Sequence, residues 1–567
     1  MNHKIINGVH FLKLEGDYIT RGRLHASILK QQIQKGAIPA LAKKNEWLLR
    51  RAGGPLDFKP LQNLALSLYH NVLVKKMEKS LNPRDRKLLH AMAEAAEIGH
   101  ETLVRAMFQP DGLMLMSRLT LMRYLFKDLP ARELPGCSSA AVMKNWTADQ
   151  KLYVLRNQDY PVVGPWETNT TVMFNYPTEA GEIPYVSIAS AGLHTGGLTS
   201  MNFEGMTVAT HAHFGKDVQL NGQPIFVVGG EIICKAKTIA QAFDIAKKTP
   251  RNANWSLVVT SGKERATAVI EMGPNETYIR YPEDNFIAHT NFFHTPNLKQ
   301  KEALICGGRH DDDYARICRM KQILTEDKGQ LTPGHLAKVM GDHLDPWSGE
   351  ERVLGNTVSV MSTIKSVVFS PEDLKLWVSS RQESPTGLGK FLEIDTSNFW
   401  QKDSAEENWP YLQGNRPSTP GLVKDIANYR RAYQIWHMQS HTSDYKERTL
   451  EALKHTLLEG CHDPHVETQA GHVAFKLGMF DQALIHFEKS TQGKMTEHLS
   501  AVRDLFLARC LDIQNQRDRA REIYAKWATY REERLAREMR RGLKRPYNKS
   551  GVKKVMLDLQ FVDPLVY

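Results

Sequence analysis

The sequence predicts an α+β protein with a strand-rich centre between two helical flanks. Two patterns point there. Apolar residues recur at spacings of three and four from about Tyr18 to Phe126, and again after about Pro420. Between about Cys137 and Phe399, short β-runs follow one another with turn residues between them. With 567 residues, 41% hydrophobic and 24% charged, the chain has the balance of a soluble globular protein too long for one domain.

In the first flank, ITRGRLHASILKQQIQKGAIPALAKKNEWLLRR and PRDRKLLHAMAEAAEIG carry the helical pattern, which ends in the polar, Pro-rich FKDLPARELPG, an expected exposed linker. The centre opens with SSAAVMK, KLYVLRN, TNTTVMFNYP, IPYVSIASA and GMTVATHA. The amphipathic helix KTIAQAFDIAKKTP then leads to a second set, WSLVVTS, ERATAVIEM, ETYIRYP and NFIAHTN. Helices around YARICRMKQIL and TPGHLAKVMGDHL follow, and TVSVMSTIKSVVFSPEDLKLWVSSR closes the region with two or three more strands. Meandering strands with helices grouped between them describe a layered α+β domain.

The last flank contains a repeat. AGHVAFKLGMFDQALIHFEKS and LFLARCLDIQNQRDRAREIYAKW superpose with Ala483 on Ala520 and Phe487 on Tyr524. Small residues at Gly471, Gly478 and Ala483 followed by a ring resemble the tetratricopeptide pattern, in which small side chains let paired helices pack closely. A helical subdomain that simply packs on the centre is the alternative.

The net charge of +11 is uneven: Arg531 to Lys554 holds ten Lys/Arg against three Asp/Glu and so accounts for +7. Such a segment is expected to be a solvated helix face, and no nucleic-acid partner is expected from it. The six cysteines are scattered without a CxxC pair, which argues against a disulfide framework and for a reducing, cytoplasmic setting. No apolar run suits a signal-peptide core or a membrane span.

Cys137 stands apart from the other cysteines, at the mouth of its strand after Pro135-Gly136 and beside two hydroxyl residues. If the Gly136–Cys137 bond were cleaved, Cys137 would carry an α-amino group with an ordinary pKa of about 7.7–8.0, able to take the thiol proton without a separate base. Gly136 has no side chain to obstruct an N-to-S acyl shift, and it tolerates a strained backbone. In a hairpin pairing SSAAVMK with KLYVLRN, Arg156 and Asp159 return beside Cys137, where a surface ion pair is the plain alternative.

Gly-Cys followed by a hairpin ending in Arg-Asn-x-Asp resembles the cysteine N-terminal nucleophile hydrolases of the choloylglycine hydrolase and acyl-coenzyme A:isopenicillin N acyltransferase group. GLHTGGLTSMNFEGMTVATHAHF, FIAHTNFF and DYARICRM resemble its later motifs, and LKLEGDYITRGRLHASILKQQI its pro-segment motif, in the family's order from about Phe11 to Arg381. Ala26 departs from the family's glycine there. The resemblance implies a four-layer αββα sandwich over 137–400 and a helical pro-segment over 1–136 released as a small subunit; the repeat gives a helical tetratricopeptide-like domain over 420–567.

It also implies Cys137 as nucleophile, exposed by self-cleavage after Gly136, with Asp159 and Arg156 as partners of its amine and thiol. Asn291 takes the place of the family asparagine that donates to the oxyanion or steadies the nucleophile's amine, and Arg316 that of the helix arginine. His211 stands where the family has a second asparagine donor. Tyr160 and Trp166 are pocket candidates by proximity in the chain. The expected activity is amide cleavage through a Cys137 thioester on a small N-acyl amide, with hydrolysis ahead of acyl transfer, acyl-coenzyme A as a further candidate donor, and no cofactor. The repeats offer a surface for a protein partner or a second copy of the chain.

Two alternatives come from other classes. One is an inactive enzyme-like scaffold that binds partners through its repeats. The other is a metal-dependent hydrolase using His211, His213, His289, His294, His310, Asp311 to Asp313 and His343, although no HExxH is present. No GxSxG elbow, phosphate loop or dinucleotide fingerprint occurs.

Overall fold

The computed structural model describes residues 2–51, 58–118, 136–303, 307–402, 408–560 and 562–564. Residues 126–135 of the expected linker, and Cys306, lie outside them.

Two sheets face each other among the described residues. The first runs, edge to edge, His3–Ile6, Val9–Gly16, Thr170–Pro177, Tyr185–Ser190, Thr199–Asn202, Met206–His213, Asn254–Ser261, Ala266–Met272 and Thr277–Arg280. The second runs Phe286–His289, Gly136–Val142, Tyr153–Asp159, Thr363–Ser370, Lys375–Ser379, Lys390–Asp395 and Tyr411–Gln413. Val172, Phe174, Val186 and Ile188 of the first meet Ala141, Val154, Val367 and Phe369 of the second in the layer between them. The outer face of the first sheet is covered by helices that include Tyr18–Ile28, Ala37–Arg51 and Ile225–Lys235. That of the second is covered by Gly307–Glu326 and Pro333–Val339 through Met320, Leu324 and Leu336. The layers therefore run helix, sheet, sheet, helix, and the strands at the centre are buried on both faces.

The opening segment is not all helical. Val9–Gly16 lies parallel to Thr170–Pro177, so residues before Cys137 supply two strands of the first sheet. Helix Tyr18–Ile28 follows, with Asp17 capping it through the backbone N–H of Thr20. At the other end, Lys390–Asp395 extends the second sheet, whereas TVSVM at 357–361 is irregular.

From Leu422 to Lys544 the described chain forms successive helices. Within it, a Cβ on Gly471 would meet the Phe487 ring at 2.6 Å and one on Gly542 would meet the Tyr524 ring at 2.5 Å, so the glycines allow neighbouring helices to approach. Leu535, Ala536 and Met539 bury one side of the basic helix Glu533–Lys544, whose arginines face the other way or pair with Glu533 and Glu538. This helical part shares its core with Val163, Leu354, Met361 and Leu388 of the sheet region.

Candidate active site

Strand Gly136–Val142 is paired so that Gly136 faces Asp159, Cys137 faces Gln158 and Ser139 faces Arg156. Side chains alternate across a strand. Arg156 therefore points into the layer between the sheets with Cys137, while Asp159 lies on the opposite face beside the helix that carries Arg316. The two charged groups flank Cys137 from different sides.

Cys137 is 3% exposed. Burial pushes its thiol up, with the neighbouring Arg156 guanidinium opposing. In the uncleaved chain the thiol accordingly holds its proton at neutral pH. Its backbone N–H donates to Asn291 Oδ1 at 2.7 Å, and its carbonyl accepts from Arg316 Nη1 at 2.7 Å. Asn291 Oδ1 also accepts from Arg316 Nη2 at 3.3 Å, while Asn291 Nδ2 donates to Ala212 O at 3.0 Å. A guanidinium can only donate and a carbonyl only accept, which assigns the amide's orientation.

Arg316 is almost fully buried and donates further to Ser138 Oγ, Asp312 and Asp313. Burial alone would weaken its charge, but Asp313, Asp312 and Asp159 hold it protonated. Burial in turn pushes Asp312 up to about 6, with Arg316 opposing. Asp312 and Asp313, considered from the sequence as metal ligands, thus serve as ion-pair partners one helical turn before Arg316.

Asp159 is fully buried, and its Oδ1 accepts from Thr363 Oγ1 at 2.7 Å. Its Oδ2 has no hydrogen-bond partner among the described residues and lies 4.0 Å from Arg316 Nη1. Burial pushes this carboxyl above the usual range, with Arg316 opposing. A Cβ on Gly136 would sit 3.0 Å from Asp159 Oδ2. Gly136 has no positive φ, so this close approach, and not backbone strain, is what calls for glycine.

On the inner side, Arg156 Nη2 donates to Thr210 O at 2.5 Å and Arg156 Nη1 lies 3.3 Å from His211 Nε2, which is also 2.9 Å from Ser139 Oγ. These contacts join the two sheets. Burial, aided by Arg156, lowers the His211 pKa far below its ordinary value, so the ring is neutral and does not titrate near neutral pH. Facing a guanidinium, Nε2 accepts and the proton resides on Nδ1.

The Tyr160 and Trp166 rings lie tilted against each other with centroids 4.6 Å apart, and both line a small apolar cavity of about 40 Å³ with Leu41, Met107, Phe226 and Trp255. Leu41 and Met107 precede Cys137, so the opening segment forms part of this wall. Loop residue Glu167 is fully buried and accepts from Arg430 Nη2 at 2.9 Å, from Gly164 N at 2.7 Å and from Ser384 N at 3.1 Å. A helix of the last flank therefore holds the loop that carries Trp166.

Among the described residues, the other histidines of the metal alternative do not come together as a ligand set. His213 and His289 approach through Nε2 at 3.3 Å, burial keeps both neutral, and His343 lies 3.1 Å from Arg352 O. Among the described residues, three potential ligand atoms come within 4.8 Å of one another at Glu78, His90 and His100, on the opening helices. No described helix is long and apolar enough to cross a membrane.

Ser138 and Ser139, the two hydroxyl residues after Cys137, meet Arg316 and His211 in the fold. Sequence reasoning missed Thr363 and Lys365, which become neighbours only when a distant strand adds to the hairpin.

Residues 146–385 match the family model described as acyl-coenzyme A:6-aminopenicillanic acid acyl-transferase. The match contains Arg156, Asp159, His211, Asn291 and Arg316 and begins after Cys137, in agreement with the acyltransferase-like resemblance of the sequence. No curated protein matches the chain.

Proposed function

From the match of residues 146–385 to the acyl-coenzyme A:6-aminopenicillanic acid acyl-transferase family as the premise, we propose that the protein is a self-processing cysteine N-terminal nucleophile enzyme. It cleaves linear amides, N-acyl amino acids or similar compounds, through a thioester on Cys137. The observation that supports this reading best is the setting of one peptide bond. Asn291 accepts from the nitrogen of the Gly136–Cys137 bond, an Asp159 oxygen without a hydrogen-bond partner lies against Gly136, and Arg316 donates to the next carbonyl along the chain, that of Cys137.

In the processing step, Sγ attacks the Gly136 carbonyl carbon, the C–N bond breaks, and the thiol proton passes to the released nitrogen. Water then hydrolyses the Gly136 thioester, leaving a carboxylate on Gly136 and a free thiol and amine on Cys137. The new ammonium has acceptors waiting in Asn291 Oδ1 and Asp159 Oδ2. In turnover the α-amine takes the thiol proton, the thiolate adds to the substrate carbonyl, and the ammonium returns the proton to the leaving amine. Water completes hydrolysis of the thioester with the amine again as base. Arg156 balances the thiolate, and His211 positions Arg156 in place of donating to the oxyanion.

In this reading residues 1–136 become a separate chain that stays docked through strand Val9–Gly16 and the helical core, 137–400 is the nucleophile domain, and 420–567 is the tetratricopeptide-like part. Hydrolysis comes before transfer because transfer needs a second substrate site.

Denaturing electrophoresis with intact-mass measurement tests the proposal. Fragments that divide between Gly136 and Cys137, with Cys137→Ala remaining whole, are expected. A wild-type chain that stays in one piece and resists thiol-reactive acyl probes would sink the enzyme and leave the scaffold.

A further inference from the structure

We propose that Lys365, together with Gln158, anchors a carboxylate of the substrate, two strands from Cys137 on the same face of its sheet. The inference rests on the acyl-transfer reading above and specifies its substrate: an N-acyl amino acid whose leaving group is the acidic end.

The register places it. Cys137 is paired with Gln158, and Gln158 with Lys365, across three neighbouring strands. Paired residues in a ladder share a face. The register shift between Thr363 and Lys365 is what brings Lys365, and not Ile364, opposite Gln158. Two strand spacings make roughly 10 Å between the backbones of Cys137 and Lys365, with Gln158 between them.

Lys365 is 2% exposed and donates to Trp166 O at 2.8 Å. An ammonium has three N–H groups, and among the described residues this carbonyl is its hydrogen-bond partner; no carboxylate lies within ion-pair distance. Glu167 is the nearest acid, but it is engaged by Arg430 and by two backbone amides. Beside Lys365, Gln158 Oε1 is buried without a partner. A buried cation without a counter-charge is costly, and burial accordingly pushes Lys365 down to about 7, with Glu167 opposing. Arg156 lies on the same face, and at the Tyr160–Trp166 cavity stand Lys44, against the Tyr160 ring, and Asp111, which accepts from Trp255 Nε1.

A carboxylate supplies the missing charge and acceptors for the N–H groups of Lys365; Gln158 takes part through its Nε2 donor, since its Oε1 is itself an acceptor and is met only by a donor such as a Lys365 N–H. The Trp166 whose carbonyl binds Lys365 presents its ring to the apolar cavity, so an apolar acyl group and an acid find their environments on two sides of one residue. An ammonium-bearing leaving group would be repelled.

The test uses the full chain carrying Cys137→Ala, titrated calorimetrically with N-hexanoylglycine and with N-hexanoylglycinamide. The measurements are made at about pH 8 in phosphate and in Tris, whose different ionisation enthalpies report proton uptake. The carboxylate is expected to bind at least about tenfold more tightly than the amide and to take up a proton. Adding Lys365→Met or Lys365→Gln should abolish both effects without lowering the melting temperature. Equal affinities, a preference that survives Lys365→Met, or no binding of either compound overturns the proposal. Acylation of wild-type Cys137 by a hexanoyl thioester reports separately on the parent reading. Selective binding without acylation sinks the acyl-transfer chemistry and keeps the anchor, whereas acylation without selectivity sinks the anchor alone.

Discussion

Asn291 Oδ1 accepts a 2.7 Å hydrogen bond from the backbone nitrogen of Cys137, joining residues 154 positions apart at the bond proposed to break. Replacing Asn291 by Ala removes this acceptor and one of Arg316's partners. Loss of its bonds to the Cys137 N–H and to the Arg316 guanidinium, the latter charge-assisted and worth about 1.5–3 kcal/mol, corresponds to a roughly tenfold to hundredfold slower appearance of the Cys137 fragment, read by timed intact-mass measurement after synthesis.

Asp159→Asn keeps the shape beside Gly136 and removes the charge. Burial raises the Asp159 pKa, so the native state holds the proton more tightly than the unfolded chain does. Stability from this group is therefore full below the ordinary carboxylate range and declines as pH rises through the folded value. The variant is expected to melt no lower than wild type at neutral pH, with its advantage shrinking as pH falls, while processing slows. A melting temperature well below wild type at neutral pH would contradict this.

His211 is neutral across the working range because burial and Arg156 both disfavour its charge. The pH–rate profile of Cys137 acylation should show no inflection attributable to His211 between about pH 5.5 and 8. His211→Asn should leave the shape of the profile unchanged while lowering the rate.

Arg430→Ala leaves the fully buried Glu167 carboxylate without its cation. A loss of about 3 kcal/mol is expected in denaturant unfolding, and Glu167→Gln in the same chain should recover part of it. Because the loop carries Trp166, the single variant should also raise KM more than it lowers kcat.

Gly471→Ala puts a methyl group into the Phe487 ring. Overpacking of this kind costs about 1–3 kcal/mol, and hydrogen exchange should speed up over residues 464–490 while the sheets keep their protection.

Much of the candidate site was legible because its parts are local. Cys137, Arg156 and Asp159 belong to one hairpin, and a hairpin's register follows from its two runs. The strand at residues 9–16 forms a hairpin with His3–Ile6 across Asn7-Gly8, a turn signal present in the sequence, whereas its pairing with Thr170–Pro177, far along the chain, is not marked there. The metal alternative arose from counting histidines and aspartates by position, whereas Asp312 and Asp313 turn toward Arg316 on their own helix.

By itself the sequence determined the strand-rich centre between helical flanks, the cysteine at the mouth of its strand, and the later asparagine and arginine in matching order, since periodicity and short motifs are written in neighbouring residues. Tertiary structure alone decided that Arg156 and Asp159 serve opposite faces, that His211 turns to Arg156, that Gly136 makes room for a carboxylate, and that Lys365 stands beside Gln158. These depend on two sheets meeting and on a register shift in a strand more than two hundred residues after Cys137, and packing between such distant segments leaves no periodic trace in the chain.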